Sequence, residues 1–156
     1  MFWIANRTIN VFMKGTLRSP LRRLFHKSVL ILHYKGIRTE KEYSLPVMYA
    51  KSEKYLIVVV GLAETKKWWR NFRGGHSVSV EWQGEKYDTT GALSQEVTED
   101  SKRALQAYFE KFPRSGRSIA RIKRGEEISD SSLAKAVEES TIVLIDLPTE
   151  LTDQLP

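Results

Sequence analysis

Cysteine is absent from the chain. That excludes disulfides, thiolate nucleophiles and thiolate-bound metals, and is compatible with a cytoplasmic protein. Histidine is scarce too. His26, His33 and His76 lie far apart, without metal-ligand spacing, so no metal is expected. No apolar run approaches the roughly 18 to 20 residues a membrane span needs. No nucleophile motif is present, so a Ser-His-Asp arrangement would need His33 or His76 beside a serine that the sequence does not mark. Paired carboxylates cannot be picked out from the scattered Asp and Glu. The loop Gly36-Ile37-Arg38-Thr39-Glu40-Lys41 has one glycine and lacks the pattern of a P-loop or dinucleotide fold. Repeats and low-complexity stretches are missing as well.

Acids are missing from residues 1–39, which hold Arg7, Lys14, Arg18, Arg22, Arg23, Lys27, Lys35 and Arg38. The whole chain is only +6, so the other 117 residues carry a small negative balance. A basic excess confined to one end argues for a local anionic partner and against nucleic-acid binding, which needs a basic face with aromatic interleaving. Phe2, Ala5, Ile9, Phe12 and Met13 share a helical face opposite Arg7 and Lys14, and Ser19-Pro20 opens a second helix carrying Leu21, Leu24 and Phe25. Residues 1–27 therefore read as basic amphipathic helices. Three fates fit them: packing on the domain, processing as a transit peptide, or association with an anionic membrane surface.

At 156 residues the chain is one domain by prior. From Ser28 the texture becomes strand-like. Val29–Tyr34, Glu42–Ala50 and Tyr55–Gly61 are β-rich runs, and Ser77–Trp82 and Lys86–Leu93 form a hairpin around Gln83-Gly84. Pro46 predicts an edge strand. Thr98 caps a long helix over residues 99–112 that ends before Pro113, residues 114–124 are ambiguous, 131–138 are a short helix, and Thr141–Ile145 is a last strand. The expected domain spans 28–147, with a tail over 148–156. About six mostly antiparallel strands with helical additions make an α+β small barrel.

The segment Lys66-Lys67-Trp68-Trp69-Arg70-Asn71-Phe72-Arg73-Gly74-Gly75 stands out after the apolar strand ending at Gly61. Thr65 predicts the N-cap of a short helix, and the two glycines predict its end. The tryptophans, cations and amide could hold a planar anionic ligand. Equally, Trp68 and Trp69 could plug a core while Lys66, Lys67 and Arg70 face solvent.

Taken in order, RSPLRR (18–23), an apolar strand, the Gly36 loop, KEYSLPVMY (41–49), YLIVVVG (55–61) and KKWWRNFRGG (66–75) resemble the deazaflavin-dependent nitroreductase family of split β-barrel proteins. The resemblance covers roughly residues 15–147. It implies a split barrel related to flavin-binding barrels, and hydride transfer from a reduced deazaflavin coenzyme to a small acceptor such as a quinone or nitroaromatic. In the family the glycine-led loop holds the cofactor phosphate, which falls here to Gly36, Arg38, Thr39 and Lys41. Ile37, Glu40 and Tyr43 depart from its usual cations and second glycine. Ser44, Leu45, Pro46, Val47 and Met48 are expected along the ring, with Val59, Val60, Gly61 and Leu62 presenting backbone. Lys67, Trp68, Trp69, Arg70 and Asn71 are expected to close over it. Tyr49 is a candidate proton donor and Tyr108 a candidate substrate contact. An FMN-dependent reductase of the same barrel is the first alternative. A non-enzymatic barrel binding haem, flavin or only a partner chain is the second. A homodimer, and an anionic membrane surface reached through residues 1–27, are the partners expected besides the acceptor.

Overall fold

A computed structural model describes residues 27–148 apart from 95, 121 and 124. The helices expected over 1–27 and the tail over 148–156 lie, but for their last and first residues, outside the described part.

Runs rich in apolar residues, alternating with polar ones in β5 and near-continuous in β4 and β7, build the strands β1 (Val29–Lys35), β2 (Glu42–Met48), β3 (Ala50–Lys51), β4 (Tyr55–Val59), β5 (His76–Trp82), β6 (Glu85–Leu93) and β7 (Ile142–Asp146). All pairings are antiparallel, in the order β2-β1-β5-β6-β7-β4-β3. Consecutive strands β2 and β3 thus sit at opposite edges of one sheet. The chain can join them only if the sheet curls until its edges approach, and β2 does contact β4. The result is an α+β split half-barrel. It has seven strands where about six were expected. The run Glu42–Ala50 divides at Tyr49, where the chain leaves the β1 edge for β4. Pro46 stands on the edge strand β2, opposite Ile31.

Residues paired across an antiparallel ladder share a face. The inner face carries Leu30, Leu32, Tyr34, Leu56, Val58, Val78, Val80, Trp82, Val143 and Ile145, which form the barrel core with Phe72. The outer face of β4 and β7 is covered by α1 (Glu99–Lys111) and α3 (Asp130–Glu139), which bury Leu105, Tyr108, Phe109, Leu133 and Val137 against Ile57 and Ile142. Thr98 and Ser101 form a reciprocal capping box at the start of α1. Pro113 ends α1 and opens α2 (Pro113–Ala120), so the ambiguous stretch is helix up to Ala120.

The double-tryptophan segment is not an α-helix capped by Thr65. It forms two short 3-10 turns, Ala63–Thr65 and Trp68–Phe72, and the Thr65 hydroxyl donates to Leu62 O at 2.7 Å. Leu62 and the pair Gly74-Gly75 adopt positive φ, which splits this connection into pieces too short for an α-helix.

Candidate cofactor site

The registers place one end of the half-barrel in view. Gly36–Lys41 joins β1 to β2 there, His76 opens β5, Gly91 lies opposite His76, and Val59 lies opposite Ile142. The connection from Val60 to Gly75 crosses this same end.

Phe72 anchors the crossing. It is fully buried and packs edge-on against Tyr34, Trp68 and His76 at centroid distances of 5.6, 5.9 and 6.0 Å. Only glycine fits beneath it: a Cβ on Gly91 would stand 2.9 Å from the Phe72 ring. Trp68 and Trp69 are half-buried against the barrel core. The Trp69 indole N–H donates to Ala63 O at 2.9 Å, and the guanidinium groups of Arg70 and Arg73 lie 5.5 and 5.3 Å from its ring. Asn71 is the clasp. Its Oδ1 accepts the Ile37 N–H at 2.9 Å and its Nδ2 donates to Trp68 O at 2.8 Å, tying the Gly36 loop to the tryptophan turn.

The Gly36 loop is folded onto itself. Gly36 N–H reaches Lys41 O at 2.8 Å, Glu40 N–H reaches Gly36 O at 2.9 Å, and Thr39 Oγ1 pairs with the Tyr43 hydroxyl at 2.9 Å. A Cβ on Gly36 would meet Thr39 Oγ1 at 2.6 Å and the Tyr43 ring at 2.8 Å. With the Gly36, Ile37 and Glu40 amides engaged by the protein itself, an anion there meets chiefly side-chain cations. Those cations are available. Among the described residues Arg38, Lys41, Lys66, Lys67, Arg70 and Arg73 form no salt bridge, although Glu40, Glu42 and Glu64 lie on the same segments. Two aliphatic side chains, Ile37 and Leu62, stand exposed beside them.

Gly36, Arg38, Thr39, Lys41, Gly61, Leu62, Lys67, Trp68, Trp69, Arg70 and Asn71 are thus brought to one end of the barrel. The residues of β2 divide. Leu45 and Val47 face inward, whereas Ser44, Pro46 and Met48 share the outer face with His33, Ile31 and Val29. One ring cannot lie along all five, because successive strand residues alternate faces. Val60 belongs to the barrel core and Val59 packs toward the helices.

The two tyrosines are placed elsewhere. Tyr49 lies beyond the far end of β2, about 20 Å from the Gly36 loop at strand rise. It is buried, accepts the Trp82 indole N–H at 2.8 Å, and carries the Lys111 ammonium 3.9 Å above its ring. Burial raises its pKa, outweighing the indole contact, so it holds its proton firmly. Tyr108 is buried in the helical core, 4.9 Å from Phe112. It shares the buried face of α1 with Leu105 and Phe109.

Sequence reasoning missed one polar cluster. On the outer face, His33 contacts Ser44 at 2.7 Å and Glu81 at 2.8 Å. A cavity of about 210 Å³ lined by Ser52, Glu53, Lys54, Tyr55, Asp100 and Arg103 lies on the helical side. It is smaller than typical ligand pockets, and two of its charged residues, Lys54 and Asp100, are paired with each other. Among the described residues no cluster of three His, Asp or Glu could hold a metal, and no helix is long and apolar enough to cross a membrane.

No family model matches the chain, and no curated protein matches it significantly. Solved structures do. An F420-H2-dependent reductase, FDR-A, superposes with a TM-score of 0.52 at 14% identity, over 78% of this chain and 95% of that one. A chain described as a domain-swapped dimer superposes with a TM-score of 0.54 at 15% identity, over 93% and 97%. HutZ, a haem storage protein from Vibrio cholerae, gives 0.50 at 10% identity, over 82% and 88%. At these identities the likeness is one of fold. The chain has the split-barrel fold.

Proposed function

We propose that this protein is an oxidoreductase that uses a reduced deazaflavin coenzyme to reduce a small acceptor such as a quinone or nitroaromatic. The observation that carries the reading is the set of cations that form no salt bridge among the described residues, at the barrel end that holds Trp68 and Trp69, a place suited to a planar ring bearing phosphate. The fold shared with an F420-H2-dependent reductase supports it.

Arg38 and Lys41 are the residues to hold the phosphate, with Lys67 and Arg70 adding charge from the facing turn. Trp68 and Trp69 wall the ring and exclude water from it, while Asn71 keeps the two loops at fixed separation. When bound, the cofactor supplies the hydride. The protein's part is orientation and electrostatics, which demand no side-chain nucleophile. Ile37 and Glu40, where the related pattern has a cation and a glycine, make the phosphate contact leaner. For that reason FMN stands as the alternative redox cofactor. The fold shared with HutZ makes haem the non-redox alternative.

The discriminating experiment is titration of the full chain with oxidised and reduced deazaflavin, FMN and haem, read by fluorescence and absorbance. Saturable micromolar binding of deazaflavin alone is the expected result, followed by menadione or nitroaromatic turnover with the reduced cofactor. Binding of haem alone would replace the oxidoreductase reading with a storage or carrier one. A homodimer is part of the proposal, supported by the swapped-dimer neighbour. Association of residues 1–27 with anionic membranes is a further part, supported by six cations and no acids in that segment. Co-sedimentation of the full chain and of residues 28–156 with anionic liposomes checks it.

A further inference from the structure

The outer face of β2, β1 and β5 carries an arrangement that the oxidoreductase reading does not use. His33, in the middle of β1, bonds through Nδ1 to Ser44 Oγ on β2 at 2.7 Å and through Nε2 to Glu81 Oε1 on β5 at 2.8 Å. An ionised carboxylate only accepts, so Glu81 fixes the proton on Nε2. Nδ1 is then the lone-pair nitrogen, and the Ser44 hydroxyl donates to it. This is the geometry of an activated nucleophile: a hydroxyl on a base, and the base oriented by a third group.

We infer that Ser44 is a nucleophile, activated by His33 and positioned through Glu81, that attacks small uncharged carboxylic esters. Three further observations support this. The cluster is reachable, since the side chains of His33 and Glu81 are 25% and 42% exposed. The serine lies on an edge strand, and its own amide faces the free side of β2. Pro46 two residues on has no N–H to give, Tyr49 N–H points to Ser28 O on the β1 side, and Lys41 O points to Gly36 N. By strand alternation the even-numbered residues of β2 turn their amides away from β1. The amide beside the nucleophile is the donor that a developing oxyanion needs. Finally, Glu42, Glu81 and Asp88 outnumber Lys35 and Lys86 on this face, so an anionic ester is disfavoured and a neutral one favoured.

The step balances without any cofactor. Ser44 Oγ bonds to the carbonyl carbon and its proton passes to His33 Nδ1. The bond to the leaving alcohol breaks, and that oxygen takes the proton back from Nδ1. Water then repeats the sequence on the acyl-serine, giving one acid and one alcohol per ester.

The test is labelling of the full chain with a fluorophosphonate probe, in which Ser44 Oγ bonds to phosphorus and fluoride leaves. Peptide mass mapping is expected to find the adduct on Ser44. Ser79→Ala, which removes the neighbouring hydroxyl held by Asp88, should leave the rate unchanged. His33→Ala should slow it by roughly 100-fold, the lower end of what a positioned base contributes. Glu81→Gln should slow it less, with part of the rate returning in Glu81→Asp. If His33→Ala fails to fold by circular dichroism, His33→Gln is read in its place. An unlabelled Ser44 in folded wild-type protein, adducts on other residues only, or an undiminished rate without His33 would each overturn the assignment.

Discussion

The two ends of this molecule treat charge differently. On the helical side two lysines are matched, Lys54 with Asp100 at 2.9 Å and Lys102 with both Glu99 at 2.7 Å and Asp130 at 2.8 Å, while Arg103 and Lys111 form no salt bridge among the described residues. The helices there are capped by Thr98 and Ser129. At the Gly36 end the cations form no ion pairs among the described residues, and the tryptophan turn has no side-chain cap. Exposed pairs contribute little stability, about 0 to 1 kcal/mol each, so the contrast is not mainly one of folding energy. It lies in what is left over. Cations that form no ion pair, even with Glu40, Glu42 and Glu64 on the same segments, keep their donors free, which suits an anion brought from outside.

The largest way to break this contrast is to collapse the scaffold under the unpaired end. Phe72→Ala opens a cavity among Tyr34, Trp68, His76 and Gly91, and core Phe→Ala changes cost about 3–5 kcal/mol. Chemical denaturation should show that loss. Leu105→Ala on α1, a core site on the paired side, should cost about 2–5 kcal/mol by the same reasoning while leaving anion binding intact in the folded fraction. If Phe72→Ala binds deazaflavin normally, the tryptophan turn does not shape the site.

Charge removal is the second test. Charge-assisted hydrogen bonds contribute about 1.5–3 kcal/mol, so Arg38→Ala with Lys41→Ala should weaken deazaflavin or inorganic pyrophosphate binding roughly ten- to a hundredfold. Lys54→Ala, which removes a matched cation, should leave binding unchanged and shift stability by less than about 1 kcal/mol. Calorimetric titration decides it. Equal losses from the two changes would erase the distinction between the ends.

A third change separates the clasp from the charges. Asn71→Ala removes two hydrogen bonds and should cost about 1–2 kcal/mol. It should also speed hydrogen exchange at the Ile37 amide. Asn71→Asp keeps the acceptor for Ile37 and loses the donor to Trp68, so exchange at Ile37 should stay slow.

Much of this architecture is legible in the sequence. The β5–β6 hairpin announced itself by alternation around Gln83-Gly84, and α1 by Thr98 and its apolar spacing. Pro46 marked the edge strand because a missing donor is tolerated only there. What escaped were features fixed by distant partners. The strand from Glu42 broke at Tyr49 because the sheet curls, and local propensity carries no information about curling. Thr65 resembled a cap, but Leu62 in the left-handed region set the following backbone instead. The contacts of His33 span 11 and 48 positions in sequence. Only a correct register of three strands could have joined them, and the signal was no more than a histidine on the polar side of β1. At the site, residue types were readable while their engagement was not: Asn71 and Thr39 looked like ligand donors and are bound to the protein itself.

The smallest expected effect is alkaline, and it tests the barrel end against the helical core through buried phenols. Tyr34, packed against Phe72, has its pKa pushed up to about 12, first by burial and then by the nearby Tyr43 charge. Tyr108 on α1 is raised by burial alone. A phenol whose folded pKa exceeds the unfolded value of about 10 contributes stability that is fully present below that value. The unfolded chain loses its proton first as pH rises, so the contribution drains away up to the folded pKa. Stability should therefore fall from about pH 10 toward about 12. Lys111 opposes this. Burial lowers its pKa, so the unfolded chain holds that proton more tightly and the penalty of burying the charge eases as pH climbs. Tyr34→Phe should flatten the alkaline decline most, Tyr108→Phe less, and Lys111→Met should steepen it. Urea denaturation midpoints taken at intervals from neutral to strongly alkaline pH measure all three. If Tyr34→Phe leaves the slope untouched, the phenol beneath the tryptophan turn is better solvated than its packing indicates. The burial of Tyr34 against Phe72 would then no longer explain its raised pKa.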